Sequence, residues 1–109
     1  MDTLPTLFAA LSDPTRLGIV ERLLTAGPQS AGELGDIAAI SAPAISRHLK
    51  VLREAAVIRQ EIDGPRRIYS VAPEALRAIS DWTLTHRAFW DASLDRLDAA
   101  VRKLNEETS

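Results

Sequence analysis

The stretch from Ser30 to Arg67 constrains the fold more than any other part of the chain, because its local signals follow one another without a gap. Ser30 and Glu33 have the spacing of a capping box, in which each side chain satisfies a backbone N–H at the start of a helix. A helix is therefore predicted to begin near Ala31. Ser41 is the expected N-cap of a second helix, so a short turn joins the two.

The second predicted helix has two different faces. Ile45, Leu49 and Leu52 recur at helical spacing and form an apolar stripe that is expected to face the core. The opposite face carries small and basic residues, namely Pro43, Ser46, Arg47 and Lys50. Such a helix suits the major groove of DNA, which has room for a helix and offers acceptors on guanine and phosphate. The alternative is an ordinary solvated face whose charges need no partner.

A β-hairpin is predicted to follow the second helix. Residues 57–62 and 67–71 are rich in β-branched and aromatic residues, and Asp63-Gly64 between them is a strong turn signal. Arg66 and Arg67 are predicted at the hairpin tip, where two guanidinium groups can reach phosphates or enter a minor groove. Alternatively, they are ordinary solubilising charges.

These elements together predict a mainly α fold with a small β-hairpin wing, that is, a winged helix-turn-helix. We expect one domain over residues 1–109, with the helix-turn-helix at about 30–56 and the wing at about 57–71.

The distribution of charge supports contact with DNA, although the net charge of −2 alone argues against it. Residues 1–42 carry two basic and five acidic side chains, and residues 68–109 carry five basic and seven acidic side chains. Residues 43–67 carry six basic and three acidic side chains. Positive charge is therefore concentrated on the predicted second helix and wing, so one face alone should attract phosphate.

Four runs of the sequence resemble the ArsR/SmtB family of winged-helix transcriptional repressors: LSDPTRLGIVERLL, AGEL, SAPAISRHLKVLREA and GPRRIYSV. The resemblance covers about residues 4–104, and its most specific marks lie at residues 13–16 and 46–52. It implies a homodimer that binds double-stranded DNA at an inverted-repeat operator. It also implies repression of the protein's own operon until a signal releases the repressor.

The resemblance places the family's base-reading residues at Ala42, Pro43, Ser46 and Arg47, and its wing contacts at Arg66 and Arg67. The full set that we predict to contact DNA also includes Ser41, His48 and Lys50.

Two positions depart from the family pattern. Many members have Gln at the position of Ala42, which can bond an adenine edge in two places, whereas Ala offers only an apolar contact. Base discrimination is therefore expected to depend on Ser46, Arg47 and DNA shape. At Ala56 members commonly have Gly, which closes the helix in a left-handed conformation that costs Ala more.

Metal sensing, found in several members, has little support here. The family's cysteines would fall at Ser30 and Gly32, and the chain has no cysteine. On the last helix, His86 has Asp81 and Asp91 five residues to either side, a spacing that does not place ligands on one face. We predict no metal or other cofactor, and a metal-responsive repressor remains the lesser alternative.

The C-terminal segment predicts a dimer interface. No Gly or Pro follows Pro73, so a long helix, in which a kink can occur, is predicted at about 74–104. It carries an apolar stripe with heptad spacing: Trp90, Leu94, Leu97, Val101 and Leu104. The first helix, predicted at about 3–11, carries a second stripe, which in the family flanks the last helix at the dimer interface: Leu4, Leu7, Phe8 and Leu11.

The aromatic residues Trp82, Phe89 and Trp90 concentrate in the same region. They either fill the interface or line a pocket for an effector that is unknown, and packing is favoured because large rings at helical spacing usually serve burial.

Other classes of function find less support. The chain has no nucleophile elbow, phosphate loop or pair of adjacent histidines, so we predict no enzyme. It has neither an apolar run long enough to cross a membrane nor a signal-peptide pattern, so a cytoplasmic protein with no membrane partner is expected. The main alternative is a winged helix that binds another protein, which Ala42 and the acidic net charge would permit.

Overall fold

Six helices and one small sheet make up residues 3–108, the part of the chain that the computed structural model describes. The helices are α1 (Thr3–Leu11), α2 (Pro14–Ala26), α3 (Ala31–Ala38), α4 (Ala42–Glu54), α5 (Pro73–Thr85) and α6 (Arg87–Thr108). The strands are β1 (Gln29–Ser30), β2 (Ile58–Asp63) and β3 (Arg66–Val71). The chain forms two compact units, which meet between Ala78 and Ile79 inside α5. The predicted fold class, mainly α with a β-hairpin wing, is confirmed.

The segment from Asp13 to Arg16 starts α2 and fastens it to α1. The Asp13 carboxylate accepts a hydrogen bond of 3.0 Å from the backbone N–H of Arg16, and Pro14 occupies the first turn. That bond is the main reason why the pKa of Asp13 lies below its ordinary value. The Arg16 Nε donates to the Ala10 carbonyl at 2.6 Å, which satisfies a carbonyl in the last turn of α1.

The sheet is antiparallel, in the order β1-β3-β2. Asp63 pairs with Arg66, and Gly64, with φ of 61°, occupies the turn between them. Arg66 and Arg67 are therefore the first two residues of β3, at the turn end of the hairpin but within the strand and not in the turn itself. The sequence did not indicate β1, which has only two residues and pairs with Ile68 and Tyr69.

The core of the N-terminal unit contains the predicted stripe of α4, because Ile45, Leu49 and Leu52 are all buried. Leu34 of α3 is buried as well. Leu7 of α1 is only 1% exposed, so it belongs to this core and not to the predicted dimer interface. A side chain already buried in its own chain has no surface left to offer a partner.

The predicted long helix at about 74–104 is interrupted at His86, which separates α5 from α6, and α6 continues to Thr108. Two hydroxyls compete with the helical ladder before the break: Thr83 Oγ1 donates to the Ile79 carbonyl at 3.0 Å, and Thr85 Oγ1 to the Asp81 carbonyl at 2.8 Å. Such bonds bend helices. Neither Gly nor Pro marks the interruption, so the sequence allowed for a kink in this helix but did not indicate its position. None of the helices within residues 3–108 combines the length and apolarity that crossing a bilayer requires.

Two alanines in the left-handed region flank α4. Ala39, with φ of 54°, ends α3, and Ala56, with φ of 61°, follows the end of α4. The left-handed conformation costs an L-residue about 1–2 kcal/mol because Cβ approaches a carbonyl oxygen. Ala56 thus adopts a conformation that glycine accommodates at lower cost.

Replacing Ala56 with glycine is expected to raise the free energy of unfolding by about 0.5–1 kcal/mol, because it removes the Cβ clash at positive φ. Urea denaturation measures the change. Ala55→Gly is the matched control: Ala55 has φ of −81° and a buried methyl group, so this variant should be less stable than the parent protein. A loss of stability in Ala56→Gly would contradict the strain assigned to this turn.

Candidate nucleic-acid interface

Helix α4 begins with a cap that leaves its first turn open to solvent. The Ser41 Oγ accepts from the Ala44 backbone N–H at 3.3 Å, so the predicted N-cap is confirmed. Ala42 and Pro43, the first two residues of the helix, are both exposed. The side chains here are small, so another molecule can approach the helix backbone closely.

The exposed face of α4 carries the cations that the sequence predicted. Ser46, Arg47 and Lys50 are all exposed, on the side opposite the buried stripe. Lys50 Nζ lies 4.0 Å from Glu54 Oε1, at the limit of an ion pair. The Arg47 guanidinium has no hydrogen bond or ion pair within residues 3–108. Its donors are therefore available to a ligand.

His48 lies apart from this exposed face. Its side chain is 24% exposed, and its Nδ1 is 3.9 Å from the Asp13 Oδ2 at the start of α2. The structure thus places His48 where α4 meets α2, which agrees with a packing role more than with base contact.

Arg66 is held by the first helix of the helix-turn-helix. Its Nη2 donates to Glu33 Oε1 at 2.8 Å. The same oxygen accepts from the Ser30 Oγ at 2.9 Å and from the Ser30 N–H at 3.3 Å, which completes the predicted capping box. The pKa of Glu33 lies below its ordinary value, mainly because of the hydrogen bond from the Ser30 hydroxyl and to a smaller extent because of Arg66. One carboxylate thus caps α3 and ties the wing to it.

Arg67 is the wing cation that remains available. It is exposed and makes no ion pair or hydrogen bond with its side chain in the described part of the chain. It pairs directly with Ile62 of β2, which is 75% exposed. Opposite residues of an antiparallel pair share a face of the sheet, so the end of the wing presents a guanidinium beside an apolar side chain. Ile62 was not among the residues predicted to contact DNA, although its spacing of four residues from Ile58 places both on one strand face.

The apolar stripe of α6 is open to solvent along its whole length. Leu97, at its centre, is 62% exposed, and none of the residues of α6 between Arg87 and Thr108 is buried. The rings of Phe89 and Trp90 contact each other edge to face, with centroids 5.3 Å apart. On α1, Phe8 is 40% exposed, while Leu4 and Leu11 are half-buried.

The described residues contain no group of three His, Asp or Glu side chains close enough together to hold a metal ion. The ring of His86 contacts the ring of Trp82 edge to face, with centroids 5.1 Å apart.

Comparisons with known proteins agree with this geometry. A family profile described as a helix-turn-helix domain matches residues 11–61. The transcriptional repressor SdpR of Bacillus subtilis is 38% identical over 78 residues, which are 72% of this chain and 86% of SdpR. The transcriptional regulator Rv2034 of Mycobacterium tuberculosis is 46% identical over 70 residues, 64% of each chain. An ArsR-like regulator from Rhodococcus sp. RHA1, a solved structure, superposes with a TM-score of 0.70 at 29% identity, covering 87% of this chain and 89% of that one.

Proposed function

The chain belongs to the ArsR family of winged helix-turn-helix transcriptional regulators, and we propose that it represses transcription as a homodimer bound to a palindromic operator. The observation that carries this proposal is the solvent-exposed cationic face of α4, whose Arg47 has no partner in the described chain. A protein of this kind would act on the chromosome, in the cytoplasm.

Base recognition is assigned to the N-terminal half of α4. Arg47 can donate two parallel bonds to the O6 and N7 of a guanine, and Ser46 can bond to several base edges. Ala42 and Pro43 offer only apolar contact, for example with a thymine methyl group. Lys50 then contributes to phosphate contacts that position the helix in the groove.

Dimerisation is assigned to the stripe of α6, from Trp90 to Leu104. A heptad stripe that is exposed in one chain is covered when a second copy of the helix packs along it. Leu4, Phe8 and Leu11 of α1 are assigned to the dimer interface by the resemblance to the family alone. The two copies of α4 would then read half-sites one helical turn apart, about 34 Å.

A DNA-binding titration tests the proposal. Fluorescence anisotropy with the promoter upstream of the protein's own gene should show specific binding. The affinity of the protein for this DNA should fall about a thousandfold or more between 50 and 200 mM salt, because binding neutralises several phosphates and releases their counterions. Footprinting then locates the operator. A winged helix that binds another protein instead would ignore this DNA even at low salt, and that result would overturn the proposal.

Arg67 and Arg66 are expected to differ in DNA binding although they are adjacent. Arg67→Ala should reduce the slope of log affinity against log salt by about one per protomer, because one phosphate contact is lost. Arg66→Ala should change this slope less, because Glu33 already neutralises Arg66 within the chain. It should still lower the affinity for all sequences, because the unpaired Glu33 carboxylate would then repel the DNA. Salt titrations of both variants measure this. Equal slopes, or a loss confined to one base pair, would contradict these roles.

A further inference from the structure

A groove between α2 and α3 has no role in the function proposed above. It encloses a cavity of about 340 Å³ and lies wholly within the N-terminal unit. Its floor is formed by the buried Ile19 and Leu34, and its rim by Ile37, which is 51% exposed. We propose that this groove is a binding site for a small apolar monocarboxylate.

Gly18 keeps the groove open on the side of α2. Glycine within a helix costs about 1 kcal/mol relative to alanine, so its presence in α2 requires a reason. Packing within the chain does not supply one, because a Cβ at Gly18 would meet no heavy atom within 4 Å. The missing side chain instead leaves free volume at the wall of the cavity, where a ligand can lie against the helix backbone.

Arg22 supplies the charge that selects an anion. It lies one helical turn after Gly18 on the same face of α2 and lines the same groove. Its guanidinium makes no ion pair or hydrogen bond with any residue in the range 3–108. A carboxylate is the matching partner, because it accepts two parallel bonds from the guanidinium fork. The other lining residues are mostly apolar, which favours a hydrocarbon or aryl body on the ligand.

The size of the cavity favours a small molecule. Pockets that bind small molecules are typically 300–1,000 Å³, mostly apolar, with a few polar groups that fix orientation. The groove lies at the lower end of that range and has one unpaired cation at its edge. A short-chain or aryl-substituted carboxylic acid has these dimensions and this polarity.

The position of the groove connects it to α4. Two of its α3 residues, Ile37 and Ala38, directly precede Ala39, the left-handed residue in the turn to α4. A ligand that moves the last turn of α3 therefore acts on the turn that orients the recognition helix. This regulatory consequence rests on the proposed function, whereas ligand binding itself does not.

Octanoate, with octanamide as its neutral analogue, tests the site by NMR titration of the ¹⁵N-labelled full-length protein. We expect saturable shifts at amides in residues 14–22 and 34–38, with a Kd of about 1 mM or tighter for octanoate and no saturation with octanamide. Arg22→Gln should weaken octanoate binding about tenfold or more, while Arg77→Gln, an exposed arginine outside the groove, should not. Gly18→Leu should fill the groove and abolish binding while the spectrum remains that of a folded protein.

Three results would overturn the site: no saturable shift, equal binding of octanamide, or shifts confined to residues 87–108. The operator supplies a separate readout, in which saturating octanoate should lower the affinity of the parent protein about fivefold or more and leave Gly18→Leu unchanged. Saturation without any change at the operator would overturn the regulatory role. A protein that bound octanoate but no DNA would contradict the proposed function and leave the groove assignment standing.

Discussion

Leu97→Asp is expected to separate the proposed dimer into single chains. Leu97 lies at the centre of the α6 stripe and is 62% exposed within its own chain, so the substitution should not disturb the core of a single protomer. In the dimer, two carboxylates would be buried against apolar side chains without a partner. Leaving a buried charge uncompensated costs about 3–5 kcal/mol, so the dimer Kd should rise at least about a hundredfold.

Sedimentation velocity measures this change as a shift towards the mass of one chain, 11.9 kDa. Ala99→Asp is the matched control, because Ala99 lies on the opposite side of α6 and is exposed. The control should remain a dimer. Leu97→Asp should also weaken operator binding about a hundredfold or more, since two half-sites no longer bind as one unit. An intact Leu97→Asp dimer would show that α6 pairs through another face.

Signals that span only a few residues were predicted correctly. The capping box of Ser30 and Glu33, the N-cap at Ser41 and the buried stripe of α4 all depend on residues within two helical turns of one another. Helix starts and amphipathic faces are encoded by such local patterns. The fold class and the family follow from these elements, and both predictions are confirmed.

Contacts between distant parts of the chain were not predicted. The ion pair of Glu33 with Arg66 joins residues that the sequence separates by most of the helix-turn-helix and wing, so no local spacing encodes it. The spacing of Leu7 along α1 fits an interface stripe as well as it fits a core position. Only the packing of α1 in the N-terminal unit decides between the two. Beside the interruption at His86, two threonine hydroxyls bond to carbonyls one turn earlier, and because such bonds are also common inside unbroken helices they do not fix its position in advance.

The same distinction divides the candidate site. The exposure of Ser46, Arg47 and Lys50 follows from the helical period of α4, and the structure places them as predicted. The surroundings of His48 and Arg66 depend on Asp13 and Glu33, which lie on other elements. As a result, residues that the family pattern treats as one set have different environments here. Arg47 and Arg67 have unpaired guanidinium groups, whereas Arg66 already has a partner.

Arg47→Ala is expected to weaken operator binding by about 1–3 kcal/mol per half-site and to relax sequence preference at one base pair. The physical reason is the loss of a bidentate donor at a base edge, which discriminates between bases as well as adding affinity. Anisotropy titrations with the operator and with all its single base-pair variants measure both effects. Because the Arg47 side chain makes no hydrogen bond or ion pair within residues 3–108, the free energy of unfolding should hardly change.

Two further variants separate geometry from charge. Arg47→Lys keeps the positive charge but lacks the planar fork, so it should restore part of the affinity without restoring the base preference. Arg53→Ala removes a cation near the other end of α4, one that bonds to Gln60 within the chain, and it should leave base preference unchanged. If Arg47→Ala lost affinity equally for every sequence, then Arg47 would contact phosphate and not a base. Recognition would then depend on Ser46 and on DNA shape, since Ala42 and Pro43 have no polar side-chain atoms with which to read a base.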